Sequence, residues 1–353
     1  MSTPPPNTTD VPPPHPGAAG AGADGASKTD ASRPRYRPQS SASWFQRLAL
    51  PGAWLLLVVI FTITEPGKFT TLRNIESLFN TQSVLLILAI ACIPPLLAGD
   101  LDLSTASTLA LSECVVGFLN VNHGWPIPAA IVAAIVVGVL VGSTNSLLIV
   151  GLGIDSIIVT LGMSTLLAGL ALSIGALPIP GISPAWVSFV RTSFLGFQLA
   201  FYIAILIALL AWFVFAKTPL GRRMTFVGAG RNTAQLSGLR VRRLRTTALV
   251  TASVLSAIAG VFLAGLYGSA EATAGPQMLL PALAAVFLGS TAFTPGRFNV
   301  PGTFVAVYFL VFGISGLQIA GISGWVSQAF YGASLIVAVV LSRLGGLRRA
   351  ASG

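Results

Sequence analysis

Long apolar blocks alternate with short polar or Gly- and Pro-rich stretches along this chain. Ten of the blocks approach the ~20 residues that cross a bilayer as a helix. They lie at 48–64, 81–99, 103–120, 126–150, 156–176, 198–216, 245–267, 280–295, 299–319 and 324–342. The pattern predicts an all-α polytopic integral membrane protein of about ten transmembrane helices. Two stretches outside the blocks exceed simple turns. In 65–80, Phe69, Leu72, Ile75, Leu78 and Phe79 recur at helical spacing, which predicts a helix lying flat on the outer interface. In 177–197, Pro178, Pro180, Gly181 and Pro184 predict a rigid, irregular outer loop, with Trp186 as an interfacial anchor.

Two blocks end in breaks. Pro94 and Pro95 precede Gly99-Asp100-Leu101-Asp102-Leu103-Ser104, so the second helix is expected to fail there. Asp102 or Ser104 would then cap the third helix. Broken helices inside membrane proteins line transport paths, because irregular backbone is tolerated there only against protein or water. A second break, Gly289-Ser290-Thr291 through Gly296-Arg297, separates the eighth and ninth blocks. Blocks two to five and seven to ten each contain one break and start five spans apart, which makes an inverted repeat a candidate.

Composition agrees with this class, since 54% of residues are hydrophobic and 8% are charged. The net charge of +10 does not indicate nucleic-acid binding, because the basic residues cluster in loops and tails beside apolar spans. The central loop 217–244, taken with Arg245 just beyond it, carries Lys217, Arg222, Arg223, Arg231, Arg240, Arg242, Arg243 and Arg245. With both termini inside, seventeen Lys/Arg fall on the inner side, and only Lys68, Arg73 and Arg191 fall outside. That bias predicts a multi-pass plasma-membrane protein with cytoplasmic ends. Most of the loop arginines are expected to fix topology and touch membrane lipid. Residues 1–44, rich in Pro, Ala, Gly, Ser and Thr, are expected to form a disordered cytoplasmic tail. Residues 45–345 form the membrane domain, and 346–353 a short cytoplasmic tail.

Catalytic chemistry is scarce. The chain has no phosphate-binding Gly-x-x-x-x-Gly-Lys-Ser/Thr, no Gly-x-Ser-x-Gly and no His-Glu-x-x-His. This excludes an ATPase of its own and leaves no metal or cofactor motif. Cys92 and Cys114 sit in apolar blocks and read as packed thiols. Glu113, inside the third block, is either a helix-packing residue or a polar or proton site on a path. A proton-driven secondary carrier is the rival reading, and a membrane enzyme or scaffold a more distant one.

Several stretches together resemble the permease subunit of bacterial ABC sugar importers, the ribose/xylose-type branch. Gly99-Asp100-Leu101-Asp102-Leu103-Ser104 is similar to that family's Gly-Gly-Ile-Asp-Leu-Ser. Asn145-Ser146-Leu147-Leu148-Ile149-Val150 with Ile158-Val159-Thr160-Leu161-Gly162 is similar to its next stretch. Leu236-Ser237-Gly238-Leu239 resembles its Leu-Ser-Gly-Ile loop, and Gly289-Ser290-Thr291 with Gly296-Arg297 its later Gly-rich break. The likeness runs in order over about 45–345. Asp100 stands where the family has Gly, and the acidic residues that often precede Leu-Ser-Gly are replaced by Arg231-Asn232-Thr233-Ala234-Gln235.

The resemblance implies a separate ATP-binding subunit, an extracytoplasmic solute-binding protein and a second permease copy or paralogue. It makes the central loop an ATPase coupling segment: Asn232, Thr233, Ala234, Leu236, Ser237 and Gly238. Asn232 would cap a short helix and Gly238 end it, with Ala234 and Ser237 permitting close docking. The expected translocation path is Asp102, Ser104, Asn145, Thr160 and Thr291. The expected cargo is a monosaccharide or similar small polar solute.

Overall fold

The computed structural model describes residues 42–322 and 324–350, with side chains for 47–322 and 324–340. Most of the tail expected over 1–44, with Lys28, Arg33, Arg35 and Arg37, lies outside the described residues, as do Ser323 and 351–353. The helices are α1 (Ala42–Thr64), α2 (Leu72–Thr81), α3 (Ser83–Leu97), α4 (Thr105–Gly117), α5 (Ile127–Ser146), α6 (Ser156–Ile174), α7 (Pro184–Arg191), α8 (Leu199–Trp212), α9 (Pro219–Ala229), α10 (Arg231–Leu236), α11 (Val241–Tyr267), α12 (Ala274–Gln277), α13 (Leu279–Gly289), α14 (Val300–Ile319) and α15 (Trp325–Ala350). π-helical turns at Phe118–Asn122, Leu147–Gly151 and Phe213–Lys217 extend α4, α5 and α8.

Among the described residues, seven helical runs are long and apolar enough to span a membrane. The remaining expected positions are filled by α4 with its π turn and by the shorter apolar runs Ala274–Gly289 and Trp325–Val340. The protein is an all-α polytopic membrane protein. The helix starts are written locally: Thr71, Asp155, Thr218 and Asn299 accept backbone N–H groups at the first turns of α2, α6, α9 and α14.

Burial is inverted relative to a soluble bundle only at the rim. α3 and α11 sit at the centre, and every α3 residue except Leu96 is buried. α1, α5, α6, α8 and α15 instead turn Leu, Ile and Val outward, as lipid-facing helices do. Small residues let the central helices touch. Gly138 and Gly142, four apart on α5, face α11 where a Cβ would collide with Ala257 and Val250.

Several expectations are corrected. Residues 72–81 form α2, whose C-terminal end runs directly into α3. The Gln82 N–H bonds Leu78 O at 3.3 Å and the Leu86 N–H bonds Gln82 O at 3.0 Å, so α2 leads into α3 within one 26-residue apolar run. Pro94 and Pro95 do not break the second helix; they lie inside α3, which ends at Leu97. The eighth span does not reach 295, because α13 stops at Gly289 and 290–298 are turns and loop. The last helix continues past 342 to Ala350. The 177–197 loop is ordered: β1 (Ile179–Pro180) pairs antiparallel with β4 (Ser269–Ala270), and β2 (Ser193–Phe194) with β3 (Phe197–Gln198), on either side of α7. Trp186 is not a free anchor; its Nε1–H donates to Val261 O at 3.2 Å and ties α7 to α11.

Packing also redefines the repeat. α4 packs on α5, α6 and α11, and α13 packs on α14, α15 and α3. α3–α6 and α11–α15 therefore use the same internal contacts and exchange their first helices. The counterpart of the break after α3 is the stretch after α11, at the other end of that 27-residue helix. There Thr273 donates to the Glu271 carboxylate, as Ser104 does to Asp102. The 289–297 break is not the mate of the first, because both flank one cavity lined by Leu97, Phe293 and Arg297. Segments related by inversion lie at opposite ends.

Candidate functional site: a clasped helix break beside a short exposed helix

α3 ends because Gly99 takes a left-handed backbone, φ 79°, at its exit. A glycine also suits the packing there, since its position meets the backbone of Gly228 on α9. From the other side, a Cβ on Gly228 would overlap the Leu97 carbonyl oxygen. Backbone thus lies directly on backbone between the break and α9.

The irregular strand of chain that follows is held by polar contacts. Asp102 Oδ1 accepts the Ser104 N–H at 2.9 Å and the Ser104 hydroxyl at 2.6 Å. Asn145 Nδ2 of α5 donates to Ser104 Oγ at 2.8 Å. From α6, the Thr160 hydroxyl donates to Ser156 O at 2.7 Å and reaches Leu101 O at 3.3 Å, while Ser156 Oγ accepts the Leu101 N–H at 3.4 Å. Four of the five residues expected on the path therefore converge on one break. All four are buried, and Asp102 Oδ2 and Asn145 Oδ1 have no hydrogen-bond partner among the described residues. Thr291 stands apart, its hydroxyl bonding Leu288 O at 2.7 Å within its own turn.

Asp100, which stands where the resembling family has Gly, anchors the site. It is 2% exposed. Arg245 at the start of α11 donates Nε to Oδ2 at 2.8 Å and Nη2 to Oδ1 at 2.7 Å. Arg231 at the start of α10 donates Nη2 to Oδ1 at 2.9 Å and to Gly99 O at 2.9 Å. For Arg245 the expectation of a topological role alone is corrected: with Arg231 it gives a buried carboxylate three charge-assisted hydrogen bonds. The sequence signal was faint, an extra Asp in a broken helix with basic residues 131 and 145 positions away.

α10 carries the expected coupling residues. Its N-cap is Gly230, not Asn232, because helical geometry begins at Arg231. Gly238, φ 78°, ends it, and the Leu239 N–H closes back on Ala234 O at 3.1 Å. Ala234 is fully buried, so it packs inward and not toward an outside partner. Asn232, Thr233, Ser237 and Gly238 are exposed, and Leu236 is 91% exposed. The helix thus has one inner side, held through Ala234 and Arg231, and one outer side with an uncovered leucine.

Glu113 lies toward the other end of α4. Its Oε1 accepts the Glu271 N–H at 3.2 Å, which joins α4 to the stretch after α11. Cys92 and Cys114 are free, buried thiols.

The profile of a family described as branched-chain amino acid transport system / permease component matches residues 74–339. The chain belongs to this permease family of ABC-type importers. Curated relatives include the autoinducer 2 import system permease protein LsrD of Salmonella paratyphi A, 30% identical over 313 residues, covering 86% of this chain and 92% of that protein. The LsrD of Photorhabdus laumondii is 30% identical over 302 residues, covering 83% and 89%. That of Escherichia coli O9:H4 is 30% identical over 303 residues, covering 83% and 90%. No solved structure matches. The permease is a multi-pass inner-membrane transport subunit, and the matched region contains both the clasped break and α10.

Proposed function

We propose that this permease imports a small polyhydroxylated solute of the monosaccharide or autoinducer 2 class, powered by separate ATPase subunits that dock on α10. The observation that carries the reading is the uncovered Leu236 on a helix whose inner side reaches the break through Arg231 and Asp100. An apolar knob on a short exposed helix suits a cleft in another protein. Closure of that cleft would move α10 and α9 together. The backbone contact of Gly228 with 97–99 would then shift the strand holding Asp102 and Ser104. Free acceptors on Asp102 and Asn145 would take hydroxyl donors as the site opens.

The rest of the assembly follows the family. A binding protein delivers solute on the extracytoplasmic side, and a second permease copy or paralogue completes the path. Arg47, Arg222, Arg231, Arg245 and Arg297 all belong to the end where the first break lies, which supports cytoplasmic placement of that end and of both termini. The chain itself does no covalent chemistry.

The test is Leu236→Asp in cells expressing the chain with its ATPase and binding protein. The expected result is loss of ATPase co-purification and of uptake of labelled autoinducer 2 or ribose, with permease levels unchanged. Retention of both would sink the docking claim. Uptake driven by a proton gradient in vesicles containing the permease alone would replace it with the secondary-carrier reading.

A further inference from the structure

A cavity of about 600 Å³ opens at the end of the molecule that carries the basic residues, between α3, the π turn after α8, α9 and the 293–301 segment. It belongs to neither the clasped break nor the outer side of α10. Trp212, Phe226, Phe293 and Phe298 give it an apolar interior, and Arg222 and Arg297 stand among its lining residues. No acidic side chain lines it. Both arginines are exposed, and neither joins an ion pair among the described residues. A third cation is close, as Lys217 Nζ sits 5.3 Å from the centre of the Trp212 ring. The wall formed by α8 is continuous with an apolar surface of Leu206, Leu209, Leu210 and Phe213 that faces outward.

An apolar crevice that joins a lipid-facing helix at one side and ends in unneutralised guanidinium groups matches one kind of guest in both charge and shape. The guest has an apolar chain and an anionic head. We propose that this crevice binds an anionic phospholipid, with an acyl chain along Trp212 and Phe226 and the headgroup phosphate between Arg222 and Arg297. Such basic pockets between membrane helices select anionic headgroups because guanidinium pairs phosphate bidentately and the chain stays out of water. The segment that supplies Arg297 and Phe293 also receives the chain from α1, through the Phe293 N–H to Arg47 O at 3.1 Å. A bound lipid would therefore bridge α9, α8 and the second break.

The experiment uses the full chain in detergent. Native mass spectrometry with added dioleoyl phosphatidylglycerol is expected to show one retained lipid per chain, and with dioleoyl phosphatidylcholine none. In the Arg222→Gln/Arg297→Gln double variant, retention of phosphatidylglycerol should weaken by about thirtyfold, as loss of two headgroup charges implies. Brominated phosphatidylglycerol should quench the emission that Trp212→Phe removes, a readout that does not require the double variant to fold. Equal retention of both lipids, unchanged retention by the double variant, or unquenched Trp212 emission would each overturn the proposal. Displacement of the lipid by millimolar inorganic phosphate would also overturn it, by showing a site for the free anion.

Discussion

Arg245 grips Asp100 side-on, Nε bonding Oδ2 at 2.8 Å and Nη2 bonding Oδ1 at 2.7 Å, across 145 residues of chain. The geometry is the planar fork that only arginine offers a carboxylate. It joins the second turn of α11 to the break after α3, and Arg231 adds α10 to the same carboxylate.

Asp100→Asn is therefore expected to destabilise the chain by about 2–4 kcal/mol, below the upper range for breaking a buried pair because Arg231 reaches water. Thermal unfolding in detergent, followed by size-exclusion fluorescence, reads this out. An apolar swap of both partners, Asp100→Leu with Arg245→Met, should recover a large part of the loss. A melting curve for Asp100→Asn that overlays the wild type would remove the clasp from the account.

Gly228 and Gly230 make a matched pair two residues apart. Gly228→Ala places a methyl on the Leu97 carbonyl and should cost about 1–3 kcal/mol through forced separation of α9 from the break. Gly230→Ala meets nothing nearer than the Thr233 hydroxyl at 3.5 Å in extended backbone, and should stay within about 0.5 kcal/mol. Similar melting temperatures for the two would contradict the close backbone contact.

Asn145→Leu removes the donor that Ser104 Oγ accepts and leaves the Asp102 cluster short of one hydrogen bond. A loss of about 1–3 kcal/mol in stability is expected, with uptake of autoinducer 2 or ribose falling further than chain levels. Thr291→Val should leave uptake within about twofold, since that hydroxyl only bonds its own turn, a surface-type change. If Thr291→Val proved as damaging as Asn145→Leu, the second break would belong to the path.

Glu113→Gln keeps an oxygen acceptor for the Glu271 N–H, so both folding and ATP-dependent uptake should persist across pH 6–8. Glu113→Leu removes that acceptor and should lower stability by about 1–3 kcal/mol. Uptake abolished by Glu113→Gln with folding intact would mark the carboxyl as a proton carrier and favour the rival mechanism.

Apolar block length was enough to place the helices, because a helix in lipid must be both long and apolar. Breaks were legible when Gly and hydroxyl residues clustered, as at 99–104. The partner of that break, 268–273, escaped notice because its one Gly and its Glu271 resemble an ordinary turn until packing shows its place. Pro94 and Pro95 misled in the other direction. Their missing N–H groups cost the helix little where neighbouring helices enclose it. Asp102, Ser104, Asn145 and Thr160 were nameable one by one, as polar groups beside broken or small-residue segments, but their convergence was not. The Asp100 clasp was not, since no local pattern reports a contact between residues so far apart.

That separation has a consequence for biogenesis. At ribosomal speeds of about 5–20 residues per second, the 145 residues between Asp100 and Arg245 take roughly 7–30 seconds to make. For most of that interval, until Arg231 is made 131 residues on, the nascent first half holds an uncompensated carboxylate at the end of its second span. The insertion machinery, or water at the membrane edge, must shelter it until α10 arrives. Closing the clasp is thus a late event in assembly, and a chain truncated before residue 231 would display that carboxylate to the cell's quality-control proteases.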